Sequence, residues 1–273
     1  MAKVDLHLHS QHSDGTRTPK QIVDLAIERG IGLIAITDHD VMAGSRELAQ
    51  LCEGKPIRYL PGVEHTTLHD GLCLHILGYC TDFTEPEYLA LTRHARKVKD
   101  DMSIDLIRKM EKDYPDRISV DDFLRFERDK TRGGWAGIDY LEKRGLAETM
   151  MDARHFYHDY SIHYHLCDFP TAGQMIHAIH KAGGFAILAH PGKSIPDDRL
   201  IPVIDELIAL NLDGIECHYP KQSDWVTRTC IDICNDRNLL ITTGSDCHGG
   251  FSGAELGSLG IDEDTLRLHL PQE

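Results

Sequence analysis

The stretch VDLHLHSQHSDG puts three histidines and two aspartates into the ten residues from Asp5 to Asp14. Imidazole nitrogens and carboxylate oxygens at this density are donors suited to divalent cations. Side chains of an extended strand alternate between faces. Asp5, His7 and His9 therefore share one face, and Val4, Leu6 and Leu8 the other. Such a strand serves equally as a metal-binding face or as a polar sheet edge, and the pair alone does not separate the two.

The same donors recur wherever the chain reads as a strand. Asp38, His39 and Asp40 follow GLIAIT, Glu64 and His65 end a third run, and His75 lies in a fourth. His190 ends AILAH, Glu216 and His218 end GIECH, and Asp246 and His248 follow LLITTGS. Random placement would scatter histidines over helices and loops as well. The recurrence decides the opening ambiguity in favour of metal binding.

The elements that must position these donors alternate. TPKQIVDLAIERG reads as a helix, with Pro19 in its first turn and Gly30 beyond its end. Further amphipathic helices separate the later strand-like runs, which is the βα alternation of a parallel sheet. The carboxyl ends of parallel strands form one rim, where sites are built. One segment departs from the pattern. From residue 85 to 169 the chain is charged and helical in character, with EYLALTRHARKVKDDMSIDLIRKMEK as a long helix. It reads as a helical insertion covering the site, with residues 1–84 and 170–273 forming the frame.

Composition narrows the function classes. A formal charge of -15 argues against a broad basic footprint for duplex nucleic acid. It is compatible with a small anionic substrate, since bound cations invert the local charge. The eight cysteines are scattered and include no Cys-x-x-Cys pair, and Cys230 and Cys234 are expected to pack as small apolar groups. No apolar run is long enough to span a bilayer. Lys3 to Leu8 already reads as structure, so no signal peptide is expected and the protein is expected to be cytoplasmic. Oligomeric state is not legible.

HLHSQHSDGT, ITDHD, PGVEH, LCLHILGY, LAHPGK and GSDCH, in this order, resemble the signature of the PHP (polymerase and histidinol phosphatase) family. The layout is similar to that of its bacterial metal-dependent phosphoesterase subgroup, whose members act on small phosphate esters. The resemblance covers about two-thirds of the chain. It implies an α/β fold, a distorted (β/α)7 barrel with an inserted helical subdomain, and two or three divalent metal ions. By this resemblance His7, His9, Glu64 and Asp246 surround one metal, and Asp14, His39 and His248 hold a second. His75 and His190 hold a third, with Glu64 bridging to the first. Asp14 departs from relatives that use histidine. A carboxylate is a harder ligand, so manganese is the first choice, with iron, zinc and magnesium as others.

Three divalent ions bring six positive charges, of which Asp14, Glu64 and Asp246 cancel three, so a phosphoryl group is the natural guest. Paired ions about 3.5–4 Å apart activate a hydroxide for in-line attack. Asp246 and His218 are the candidate catalytic residues, His218 as proton donor or phosphate ligand. Lys193 and Arg132 are candidate phosphate-binding residues, and Arg132 sits where the subgroup's insertion supplies a substrate-facing arginine. Here Gly133, Gly134 and Trp135 replace the Pro-His of many relatives. Arg96 and Lys99 are weaker candidates.

Other polar residues have simpler readings. His12 is expected to be solvated, His65 to face away from the rim, and Asp5 to lie too early to ligate. Asp38 and Asp40 are candidates to orient His39. His163 and His165 lie in the insertion without a matching frame. His177 and His180 are expected to be exposed, and Trp135 and Trp225 to be core or pocket wall. The expected activity is hydrolysis of a small phosphorylated metabolite, either a phosphomonoester such as a nucleotide or sugar phosphate, or a cyclic phosphodiester. The alternatives are an amidohydrolase-type C–N hydrolase, a non-catalytic metal-bound module and a nuclease. The first lacks the rim lysine that many such enzymes carbamylate.

Overall fold

IGLIAI is apolar at five of its six positions, a composition that favours a strand covered on both faces. In the computed structural model, which describes residues 2–251 and 255–268, it forms β2 (Ile31–Ile36). β2 pairs in parallel with β1 (Lys3–Leu8) and with the short β3 (Arg58–Tyr59). The connecting helices are α1 (Pro19–Glu28) and α2 (Ala43–Cys52). Thr18 caps α1 in a capping box with Gln21, and Pro19 occupies the first turn.

A second sheet runs in the order β4 (Gly62–His69), β5 (Leu72–Tyr79), β6 (Phe185–Leu188), β7 (Gly214–His218), β8 (Leu240–Thr243). β6, β7 and β8 are parallel, but β4 with β5 and β5 with β6 are antiparallel. The purely parallel expectation is corrected here. Asp70 and Gly71 join β4 to β5 with φ of 45° and 76°, as a two-residue hairpin turn requires. The expected third strand is likewise split, because Pro61 has no N–H to give a ladder.

The ladder pairing of the described residues gives two sheets, not the closed seven-stranded barrel expected from sequence. The sheets meet at single bridges, Leu8 with Cys247 and His39 with Glu64. Beside each bridge an aspartate leaves extended geometry, Asp246 at φ 52° and Asp40 at φ 51°, which stops the pairing from continuing.

Between the sheets lie Val4, Leu6, Leu33, Leu77 and Ile187. Outside the first sheet, α1 and α2 bury Ile22, Val23 and Leu48 against Leu8, Ile34 and Ile36. Outside the second, α8 (Ala172–Lys181), α10 (Leu200–Ala209) and α11 (Asp224–Arg237) bury Ile176, Ile179, Val203, Leu207 and Cys230. Each such side chain contributes about 1.5–3 kcal/mol when fully buried. The short α9 (Pro191–Ser194) follows β6.

From residue 85 to 169 the described elements are helical: α3 (Pro86–Met110), α4 (Val120–Phe123), α5 (Ala136–Lys143), α6 (Met150–Ala153) and α7 (His155–Asp159), with short 3-10 turns. They share a core of Leu106, Ile107, Met110, Ile118, Tyr140 and Leu141. Of the frame residues 1–84 and 170–273, Met1, 252–254 and 269–273 lie outside the described residues.

β1 differs from simple alternation. Its pairing slips between Asp5 and Leu8, a bulge. Val4 and Leu6 join the inner cluster, whereas Leu8 packs among the α1 and α2 residues. The bulge lets His7 and His9 follow Leu6 into the space above the inner core.

Candidate metal centre

Glu64, in the first half of β4, is fully buried and stands at the middle of the histidines. Its Oε2 lies 3.3 Å from His7 Nε2, 3.2 Å from His9 Nε2 and 2.9 Å from His39 Nδ1. Its Oε1 lies 2.7 Å from His75 Nδ1 and 2.9 Å from His190 Nε2. Asp246 Oδ1 completes the first group, 3.2 Å from His9 Nε2 and 3.6 Å from His7 Nε2. A second group gathers around Asp14, with His248 Nε2 at 3.3 Å, His9 Nδ1 at 3.7 Å and His39 Nε2 at 3.9 Å.

These donors fall into three overlapping sets that could each hold a cation: His7, His9, Glu64, Asp246; His9, Asp14, His39, His248; and His39, Glu64, His75. The grouping differs from the expected one, because His39 joins the set containing His75, and His190 approaches through Glu64. Five buried atoms in this space have no hydrogen-bond partner: His7 Nε2, His9 Nε2, His39 Nδ1, Glu64 Oε2 and Asp246 Oδ1. Buried polar atoms are seldom left so. Cations shared within these sets would satisfy them, since metal–donor distances of about 2.1 Å give donor–donor edges of about 3.0–3.4 Å. The donor set therefore fits divalent metal.

Charge supports the same reading. Burial by itself would raise the Glu64 carboxyl, but His39, His75 and His7 outweigh it and hold it well below the ordinary carboxylate range. Asp14 and Asp246 are held down in the same way against burial, Asp14 by His248 and His39, Asp246 by His9 and His7. Burial lowers His75 to about 4 despite Glu64, and a neutral imidazole is the form that ligates.

A surrounding layer fixes these groups. Glu216, from β7, accepts from His7 Nδ1 at 3.0 Å and from the His190 backbone N–H at 2.8 Å. Asp38 accepts from the Ser10 backbone N–H and from the hydroxyls of Ser10 and Ser13, and Asp40 accepts from Thr66. Neither aspartate bonds the His39 ring, so both brace neighbouring backbone. Asp5 accepts from Ser245 and Gly257 and lies outside the donor sets. His65 bonds Tyr88 Oη at 2.8 Å, and His12 pairs with Glu47 on the surface. His180 is not free on the surface as expected, because Asp213 pairs with it at 2.7 Å and leaves its side chain 33% exposed.

Among the candidate substrate residues, Lys193 Nζ lies 2.9 Å from Asp246 Oδ2. Tyr219, which the sequence reading missed, donates to the same oxygen at 3.3 Å and packs its ring 5.5 Å from that of His190. Asp246 thus offers Oδ1 to the histidines and Oδ2 to Lys193 and Tyr219. The β7 register slips between Glu216 and His218. His218 is half-buried, and its ring makes no hydrogen bond or ion pair with the described residues. Arg132 is held by Asp139 at 2.6 Å and Glu142 at 2.5 Å, both within the insertion. Arg128 instead reaches the Asp14 loop, donating to the backbone oxygens of Ser13, at 2.8 Å, and of Gly134.

Local backbone geometry makes this packing available. His190 and Asp246 adopt positive φ, 29° and 52°, the kind of strain that a surrounding site must hold in place. Gly244 has no room for a side chain, because a Cβ there would stand 2.1 Å from His7 Cβ and 2.6 Å from Glu216 Oε1. Gly133 and Gly134 permit close approach to the Asp14 loop: the Gly134 N–H donates to Asp14 O at 2.8 Å.

A family model described as the PHP domain matches residues 5–129. The 5'-3' exoribonuclease Rnm of Escherichia coli is 29% identical over 262 residues, 93% of this chain and 87% of that one. The phosphoribosyl 1,2-cyclic phosphate 1,2-diphosphodiesterase of Eggerthella lenta is 29% identical over 266 residues, 90% of this chain and 94% of that one. The crystal structure of a provisionally assigned metal-dependent phosphoesterase from Bifidobacterium adolescentis superposes with a TM-score of 0.80 at 28% identity, covering 97% of this chain and 94% of that one.

Proposed function

The chain belongs to the PHP-domain family, and we propose that it is a divalent-metal-dependent hydrolase of small phosphate esters, with nucleotides as the leading class. It is an enzyme of the phosphoric ester hydrolase type. The observation that carries the reading is the set of five unpartnered buried donor atoms facing one space. We assign the metal ligands to His7, His9, Asp14, His39, Glu64, His75, His190, Asp246 and His248, for two or three ions, with manganese as first choice. We read the two sheets, bridged at both seams, as an interrupted seven-stranded ring with 85–169 as its inserted cover. The eight cysteines are free thiols, in keeping with a reducing cytoplasm.

Bound in this cluster, the cations would supply charge for the phosphoryl group and bring the pKa of a water toward neutrality. The chain's own residues do the rest. Glu216 holds His7 in one orientation through Nδ1, leaving Nε2 for ligation. Lys193, 48% exposed at its side chain, offers its ammonium to phosphate oxygens from beside Asp246. We assign Tyr219, which reaches Asp246, as the donor to a leaving oxygen, with His218 next to it as the alternative. The insertion, docked on the Asp14 loop through Arg128 and Gly134, excludes water from one side.

Removal of nucleotides from an RNA end is a second reading, favoured by the similarity to the exoribonuclease. Protein loaded with manganese should release phosphate or nucleotide from at least one of a panel of nucleotides, cyclic phosphodiesters and short 5'-phosphorylated RNAs. Inactivity on every ester, by protein holding two or more metal equivalents, would refute the proposal.

A further inference from the structure

Cys217 in β7 and Cys234 in α11 bring their sulfur atoms to 3.7 Å, although seventeen positions separate them in sequence. Both side chains are fully buried, and this is the one contact between cysteine sulfurs among the described residues. Packing as a small apolar group accounts for Cys230, one helical turn before Cys234. Cys217 differs in what surrounds it. It falls at the slip in β7, between Glu216, which pairs with Thr242, and His218, which pairs with Thr243.

Glu216, the preceding residue, accepts from His7 Nδ1 and from the His190 backbone N–H. Tyr219, two residues on, donates to Asp246. The extra residue at a slip has no ladder partner. Cys217 therefore yields to a sideways pull more readily than Cys234, which α11 holds in the core with Val226 and Cys230. A disulfide needs about 2.05 Å between sulfurs, so the pair must close by about 1.7 Å. A shift of that size at Cys217 exceeds what the 3.0 Å hydrogen bond from His7 to Glu216 next door tolerates.

We propose that peroxide converts Cys217 and Cys234 into a reversible disulfide, and that this bond loosens the metal centre by drawing Glu216 away from His7. The proposal rests on the metal-binding reading and not on the identity of the ester. One thiol, as its thiolate, attacks a peroxide oxygen. A sulfur–oxygen bond forms, the oxygen–oxygen bond breaks, and the departing hydroxide takes up the thiol's proton as water. The second sulfur then displaces the sulfenic oxygen, which leaves with the second proton as another water. Two thiols lose two electrons, and hydrogen peroxide gains them. Peroxide is small enough to reach a closed core through brief local openings, whereas a glutathione disulfide is not. Burial holds the Cys217 thiol well above its ordinary pKa, which keeps the pair reduced and slow to react until peroxide is sustained.

In the test, manganese-loaded full-length protein is treated with hydrogen peroxide, cleared of it with catalase, and compared with untreated protein. Non-reducing peptide mapping should find a cross-link between Cys217 and Cys234. Titration with a chromophoric chelator should show metal affinity weaker by about 10- to 100-fold, the size expected when a ligating histidine loses its support. Dithiothreitol should restore it, and Cys234→Ala should show no such loss; Cys217→Ala replaces that variant if it fails to fold. Absence of the cross-link, a cross-link with unaltered affinity, or a loss that persists in the variant or after reduction would overturn the proposal. Neither readout uses a phosphate ester, so the phosphoesterase reading is tested separately. If untreated protein binds no manganese, the metal reading falls and takes this proposal with it.

Discussion

Glu64 and Glu216 are both buried carboxylates, yet their replacement should have different consequences. Glu64 shares its two oxygens among five imidazoles. Glu64→Gln should therefore abolish both bound metal, read by elemental analysis, and turnover. Glu216 touches His7 and the His190 backbone from outside. Glu216→Gln should retain the fold and weaken metal affinity by about 10- to 100-fold, measured by titration with a chromophoric chelator. Affinity equal to that of wild type would show that Glu216 is only a core residue. Gly244→Ala forces a methyl group into His7 and Glu216 and should cost at least about 1–3 kcal/mol together with metal content. The donors themselves were legible because their residue types recur at strand ends. Tyr219 was not, since the slip in β7 that brings it to Asp246, while its neighbour His218 makes no such contact, has no signature in IECHYP.

The elements show the same division. The α1 cap and the long helix of the insertion were readable from Thr18-Pro19 and from an extended charged periodicity. The antiparallel hairpin was also readable, from Asp70-Gly71 between two apolar runs, but a parallel template concealed it. The bulge in β1 was not readable, because LHLH alternates perfectly and only tertiary packing decides that Leu6 joins the inner cluster and Leu8 the residues of α1 and α2. The insertion has its own apolar core, in which Leu106 is fully buried. Leu106→Ala should lower stability by about 2–5 kcal/mol in denaturant unfolding, with metal content at the wild-type level. Loss of metal in that variant would mean that the helices and the donors fold as one unit.

For the whole molecule, net charge is the governing quantity. Four carboxylates, Asp14, Glu64, Glu216 and Asp246, lie close together inside a chain of net charge -15. Cations that bind only the folded state stabilise it by about 2.7 kcal/mol at a hundred times Kd. For a domain of this size that corresponds to a rise in Tm of about 5–10 °C. Manganese added to chelator-treated protein should produce this rise in a thermal melt, and a flat response would contradict a cluster that needs positive charge. Among the described residues no helix is long and apolar enough to cross a membrane. Composition admitted an anionic guest only through the metals.

The backbone clasp of Gly134 on Asp14, with Arg128 anchored to Ser13, ties the insertion to a loop that carries one of the donors. Occupancy at Asp14 should thus be felt by residues that touch no cation. Deuterium uptake at amides 133 and 134 should slow in step with that at 14 and 15 as metal is titrated in, so that the cover tightens as the cluster fills.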